Sequence, residues 1–344
     1  MTEPHKIVLI YDFHHVRPVP SFENDILGSI EGNNTTLLIE SPRDNNTKFS
    51  EMVSSTDQYI SKDDYKLRAY ISGTFSKNIV DPNVEKFAIF LRLYHSKKIG
   101  SIELIDTEEK ETLEASKFAT YATDAKITTE GEDDWAISML TQACIISLGW
   151  YKCDLGREEP MVEKIFEYAE KSDTVLVNTG ATHAASFLES ITNSEKYRNN
   201  EIKISTLGSK GFVDNGWIGF NLEKQLASLI KEIDSELLDQ ILIATEDQFR
   251  DLFGRCIKTI KPRIKEDAKL ASCSLLYLVY HSSPGADSDE WAPQLRRVAE
   301  YLISNPTEPK EIIDIVKAGP RSEQFKGFIS SIEEKSTKQK VKST

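Results

Sequence analysis

The chain has no run approaching the roughly 20 apolar residues that span a bilayer. It has no excess of basic charge either. Its 42 Lys and Arg stand against 55 Asp and Glu, for a formal net charge of −13. Phosphate backbones are bound through a basic footprint and anionic membranes through polybasic segments, so neither a nucleic acid nor a membrane is an expected partner. The four cysteines, Cys144, Cys153, Cys256 and Cys273, form no C-x-x-C pair, which argues against a zinc ribbon. As free thiols they read as small buried apolar groups. No G-x-G-x-x-G follows the first apolar run, and no G-x-x-x-x-G-K-S/T occurs anywhere. The first strand leads instead into Val16-Arg-Pro-Val-Pro20, a poor cradle for phosphate because proline lacks the N–H donor. The opening residues lack the apolar core of a signal peptide, and the expectation is a soluble, cytoplasmic chain.

What is present is a chain of 344 residues, 39% of them hydrophobic, enough for a real core and for two domains. The N-terminal half alternates short β-rich runs with helical patterns. Strands are predicted at 6–11, 35–40, 101–106, 173–178 and, more weakly patterned, 201–205. The first, second and fourth are near-continuous apolar runs, as in strands covered on both faces. Helices are predicted over 84–97, 135–148 and 161–169, with Pro160 in the first turn of the last. Residues 43–83 are polar and carry no clear pattern. Beyond about residue 220 the pattern is helical throughout, over 222–242, 248–260, 266–281, 291–304 and 309–317. The predicted fold class is α/β, a largely parallel sheet flanked by helices, with a C-terminal all-helical region. The predicted domains are 1–220, which carries the site, 221–320, a helical domain or cap, and 321–344, a partly disordered tail. The segment 334–344 holds four lysines and no apolar periodicity.

Open α/β sheets bind ligands at the carboxyl ends of their strands. Here those ends are chemically rich. The first delivers Asp12, His14 and His15, the second Glu40, the third Asp106, and the fourth Gly180 and His183. Three of the six histidines therefore follow candidate strands. Imidazole and carboxylate suit a divalent ion or a general base with an orienting acid, so His14, Glu40 and His183 read either as a metal-ligand set or, equally, as a general base with an orienting carboxylate. Side chains alternate along an extended backbone, so only one of His14 and His15 can face the crevice. His5, His95 and His281 lie at the terminus and at helix ends and read as structural or solvated. Arg157 sits at a predicted helix start, where a cation opposes the helix dipole. It reads either as aimed at an anionic group or as a salt bridge to a neighbouring acid. Gly180 reads as a tight turn after the fourth strand.

The order of these pieces resembles the superfamily of erythromycin esterases, ChaN-type haem-binding proteins, TraB proteins and Tiki metalloproteases. That pattern has G-x-x-H or G-E-x-H after the first strand and a glutamate after the second. An arginine then precedes a helix with an early methionine, and a second G-x-x-H follows the next strand. Arg157-Glu-Glu-Pro-Met161 and Gly180-Ala-Thr-His183 are similar to its closing block, Glu40 to the strand-two glutamate, and 105–109 to a TraB-like stretch. Tyr11 stands where the family has glycine, and His14 takes the histidine position. The resemblance spans about residues 6–215 and implies both histidines, the glutamate and the arginine around one pocket. It implies a hydrolase of ester or peptide bonds acting on a small molecule or peptide. The metal ligands would be His14, Glu40 and His183, the metal manganese, cobalt or zinc. Arg157 would stabilise an oxyanion, Asp12 or Asp106 would orient a histidine, and His15 is the alternative catalytic histidine. An oxyanion contact is worth about 3–4 kcal/mol, so Arg157→Ala would lower turnover by about two to three decades. A protein that binds ligand, metal or haem without turnover is the alternative implied by the same family.

Overall fold

The computed structural model describes all residues except 1–3, 13–16, 43–45, 57–58, 60–63, 76–78, 108, 125–126, 128, 130, 132–133, 283–287, 320–321 and 344. Five strands, β1 (His5–Asp12), β2 (Thr35–Pro42), β3 (Ser101–Asp106), β4 (Thr174–Gly180) and β5 (Ile202–Leu207), form one sheet in the order β3-β2-β4-β1-β5. Every pairing is parallel. The helices between them are α1 (Phe22–Ser29), α2 (Asn46–Ser55), α3 (Asp64–Phe75), α4 (Pro82–His95), α5 (Glu109–Asp124), α6 (Asp134–Ala169), α7 (Ala181–Thr192) and the short α8 (Glu195–Arg198). The C-terminal series is α9 (Lys210–Ile233), α10 (Ser235–Ile243), α11 (Glu246–Arg263), α12 (Ala268–Ser282), α13 (Trp291–Ser304), α14 (Pro309–Ala318) and α15 (Glu323–Ser343). The chain is α/β, as the strand–helix alternation predicts. No described helix is long and apolar enough to cross a membrane.

The chain forms two compact units, Met1–Thr112 with Arg157–Ser209, and Leu113–Gly156 with Lys210–Thr344. The sequence division at 220 assigns 113–156 to the sheet domain. Here those residues pack instead with the helices, because Phe118, Ile137, Leu140 and Leu148 join one apolar cluster with Leu222, Leu226 and Ile230.

In the first unit, Val8, Ile10, Leu37, Ile39, Leu104 and Leu176 turn one face of the sheet onto Ile26 of α1, Phe49 of α2, Leu67 of α3 and Phe90 of α4. Ile7, Leu9, Leu38, Val175 and Val177, on the alternate positions, are buried too. Burial on both faces is why these strands read as unbroken apolar runs. The patternless stretch 43–83 contributes two helices, α2 and α3, each burying a few apolar residues: Phe49, Met52 and Val53, then Leu67 and Ile71. The turn into β2 requires a glycine. Gly32 has φ +78°, and a Cβ there would lie 2.5 Å from the Asp173 side chain. That carboxylate accepts the Asn33 and Asn34 N–H groups at 2.9 and 3.0 Å.

Three sequence expectations are corrected. Pro160 does not open a new helix; it lies inside α6, which runs unbroken for 36 residues. The ring removes one hydrogen bond and crowds the carbonyl four residues back. That residue is Gly156, and a Cβ at that glycine would meet nothing within 4 Å. Burial of Met161, Ile165 and Ala169 holds the helix past it. The predicted helix 222–242 is two helices, parted at Asp234, whose side chain accepts the Leu237 N–H at 2.8 Å and caps α10. The segment 321–344, predicted as a tail disordered from 334, carries α15, which starts by burying Phe325, Phe328, Ile329 and Ile332 at three- and four-residue spacing and extends to Ser343.

All four cysteines are buried free thiols. Burial pushes Cys256 and Cys273 up to about 12 and Cys144 higher, which makes them inert. His281, on α12, packs its ring against Tyr277 with centroids 4.4 Å apart. Burial pushes its imidazole down from 6.5 to about 4. Between those values the unfolded chain takes a proton that the folded chain refuses, so stability rises with pH across that window. Unfolding midpoints measured from pH 4 to 7 should show this slope, and His281→Phe should flatten it.

Candidate functional site

Parallel strands all end at one edge, and the chain leaves that edge in two directions. From β2 it moves outward to β3, while from adjacent β4 it moves the other way, past β1 to β5. The carboxyl ends of β2 and β4 therefore flank a topological switch point, where α/β sheets open a crevice. Four of the residues singled out by sequence meet there: Glu40, Asp106, Arg157 and His183.

Arg157 projects from α6 and grips Asp106 with a two-pronged contact, Nε to Oδ1 at 3.1 Å and Nη2 to Oδ2 at 2.6 Å. Its Nη2 also donates to Glu40 Oε1 at 3.0 Å. The other Glu40 oxygen accepts the Thr179 hydroxyl and the Gly180 N–H, each at 2.7 Å. His183, in the first turn of α7, turns Nε2 toward Glu40 Oε1 at 3.4 Å and sets Nδ1 2.9 Å from Glu158 Oε1. Phe187, one turn on, stacks on its ring at 6.1 Å between centroids. The Ser186 hydroxyl donates to the second Glu158 oxygen. All five charged or imidazole side chains are mostly shielded, from 2% exposed for Asp106 to 13% for Arg157. Charges this deep persist only when paired.

Sequence and structure diverge in several roles. Arg157 lies within a helix rather than at its start, and its partners are acids from β2 and β3 rather than its chain neighbours. Among the described residues, Asp106 meets that guanidinium. Asp12, expected to orient a histidine, pairs with Lys86 of α4, both side chains almost wholly buried. Strand alternation puts Asp12 with Val8 and Ile10, on the face of the sheet that α4 covers. Gly180 has φ −55°, which any residue adopts, and serves through its N–H. His14 and His15 lie outside the described residues. The remaining histidines are structural as expected: His5 Nδ1 meets the Ser172 carbonyl and His95 Nε2 the Thr56 hydroxyl.

Sequence reasoning missed Glu158, Ser186 and Lys86. The signal for the first two is spacing. His183 and Ser186 are three apart on α7 and so share a face toward Glu158. Asp154 stands one turn before Glu158 on the same unbroken helix. Glu158 and His183 bring a carboxylate oxygen and an imidazole nitrogen within 2.9 Å of each other, and such a group could hold a metal ion. Nitrogen with carboxylate oxygen is a donor set for a first-row divalent ion. Among the described residues, three carboxylates, Glu40, Asp106 and Glu158, gather here with the guanidinium of Arg157. The sequence matches no family model, and comparisons with curated proteins and with solved structures find no match.

Proposed function

We propose that the sheet-bearing unit is a metal-assisted hydrolase of ester or peptide bonds, acting on a small molecule or peptide in the cytoplasm. The observation that carries this reading is His183 held between Glu158 and Glu40 at the switch point of the sheet. Glu158 and His183 would hold manganese, cobalt or zinc. When bound, such an ion polarises a scissile carbonyl and acidifies water. The chain's own groups do the rest. Glu40 faces His183 Nε2 and fixes the ring from the side opposite Glu158. Arg157 anchors Glu40 and Asp106 and keeps both carboxylates in register. The ordered strand-end motifs, which resemble the erythromycin esterase and Tiki superfamily, support the same chemistry.

One observation favours a second reading, a protein that binds ligand or metal without turnover. The Arg157 donors are directed at Asp106 and Glu40, the arrangement of a charge scaffold rather than of a donor waiting for an oxyanion. Assays of the purified chain on ester and peptide panels, with manganese, cobalt or zinc added and then chelated, separate the two. Hydrolysis that needs the ion and is lost in Glu158→Gln supports the hydrolase. A tightly held ion without turnover supports the binding protein. Neither ion nor turnover contradicts both.

A further inference from the structure

We propose that Ser186 is a positioning residue that makes Glu158 a one-oxygen ligand, and that it thereby sets which cation the site accepts. The inference rests on the metal-binding reading above. A carboxylate can offer a cation one oxygen or both, and the choice matters. Calcium takes six to eight oxygens at long distances and favours bidentate carboxylates, whereas zinc-like ions take about four ligands and accept imidazole.

Here the two Glu158 oxygens are differentiated. Oε1 faces His183 Nδ1 at 2.9 Å. Oε2 accepts the Ser186 hydroxyl. Both partners come from α7, three residues apart, so one rigid helical turn addresses both oxygens of one carboxylate. Ser186 is 5% exposed and His183 7%, so water does not readily replace either contact. With Oε2 turned to the Ser186 hydroxyl, a cation reaching His183 meets Oε1. The coordination number stays low and one ligand is nitrogen, which selects a transition ion against calcium.

Ser186→Ala releases Oε2 and lets Glu158 turn both oxygens inward. Outer partners of metal ligands typically contribute about 10–100-fold in affinity. The test titrates full-length wild type, Ser186→Ala and Ser186→Thr with zinc alone and then with calcium in competition, with circular dichroism as the control for folding. The expected result is zinc binding weakened about 10–100-fold in Ser186→Ala. The preference for zinc over calcium should narrow with it, and both should recover in Ser186→Thr, which keeps the hydroxyl. Those shifts in selectivity and the recovery are not what a merely packed serine would give. A Ser186→Ala chain with wild-type zinc affinity and wild-type preference overturns this inference alone. A wild-type chain that takes no zinc overturns it together with the metal-binding reading.

Discussion

Arg157→Ala is expected to destabilise the protein by about 3–5 kcal/mol, because it takes the guanidinium from two buried acids at once. Asp106 loses both prongs of its contact, and Glu40 loses the guanidinium while its contacts to Thr179, Gly180 and the imidazole of His183 remain. Arg157→Lys should recover part of the loss. A lysine restores a positive charge but not the planar fork that matches Asp106. Guanidinium unfolding of the three proteins measures this directly, and a loss below about 1 kcal/mol for Arg157→Ala would contradict a buried, paired network. The stability effect also changes how activity data are read. The two to three decades of turnover expected from an oxyanion role would have to appear in Arg157→Lys as well, under conditions where that variant is fully folded.

Lys86→Ala should have an effect of similar size for the same physical reason. It removes the ammonium that the buried Asp12 faces, and losing one partner of such a pair costs about 3–5 kcal/mol. The double variant Asp12→Leu with Lys86→Met should lie much closer to wild type, since apolar groups of similar size often replace a buried pair at little cost. Urea unfolding of both variants checks this. A double variant as unstable as Lys86→Ala would mean that the pair acts through more than its own two charges.

The sheet was legible in the sequence because its strands are buried on both faces, so β1, β2 and β4 are unbroken apolar runs whose ends are easy to place. The strand ends then pointed to Glu40, Asp106 and His183, and topology brings exactly those ends to one edge only because every strand is parallel. What the sequence hid has specific causes. Pro160 is a strong local stop signal, yet the packing of Met161 and Ile165 outweighs a single missing hydrogen bond. Reading a break there concealed the helical spacing of Asp154 and Glu158 and misplaced Arg157. Residues 113–156 belong to a different core from the strands beside them in the chain, and only contacts distant in sequence reveal it. Lys86 sat unnoticed in an apolar helix because its partner, Asp12, is 74 residues away. The last helix was obscured by its polar second half, although Phe325, Phe328, Ile329 and Ile332 anchor its first.

Elemental analysis of the natively purified protein, beside Glu158→Gln and His183→Ala, tests the central claim most directly. The expected result is a single equivalent of manganese, cobalt or zinc in the native chain, lost in both variants while their circular dichroism stays native. No stoichiometric metal in the native chain, or a metal retained by both variants, would contradict a cation site built on Glu158 and His183.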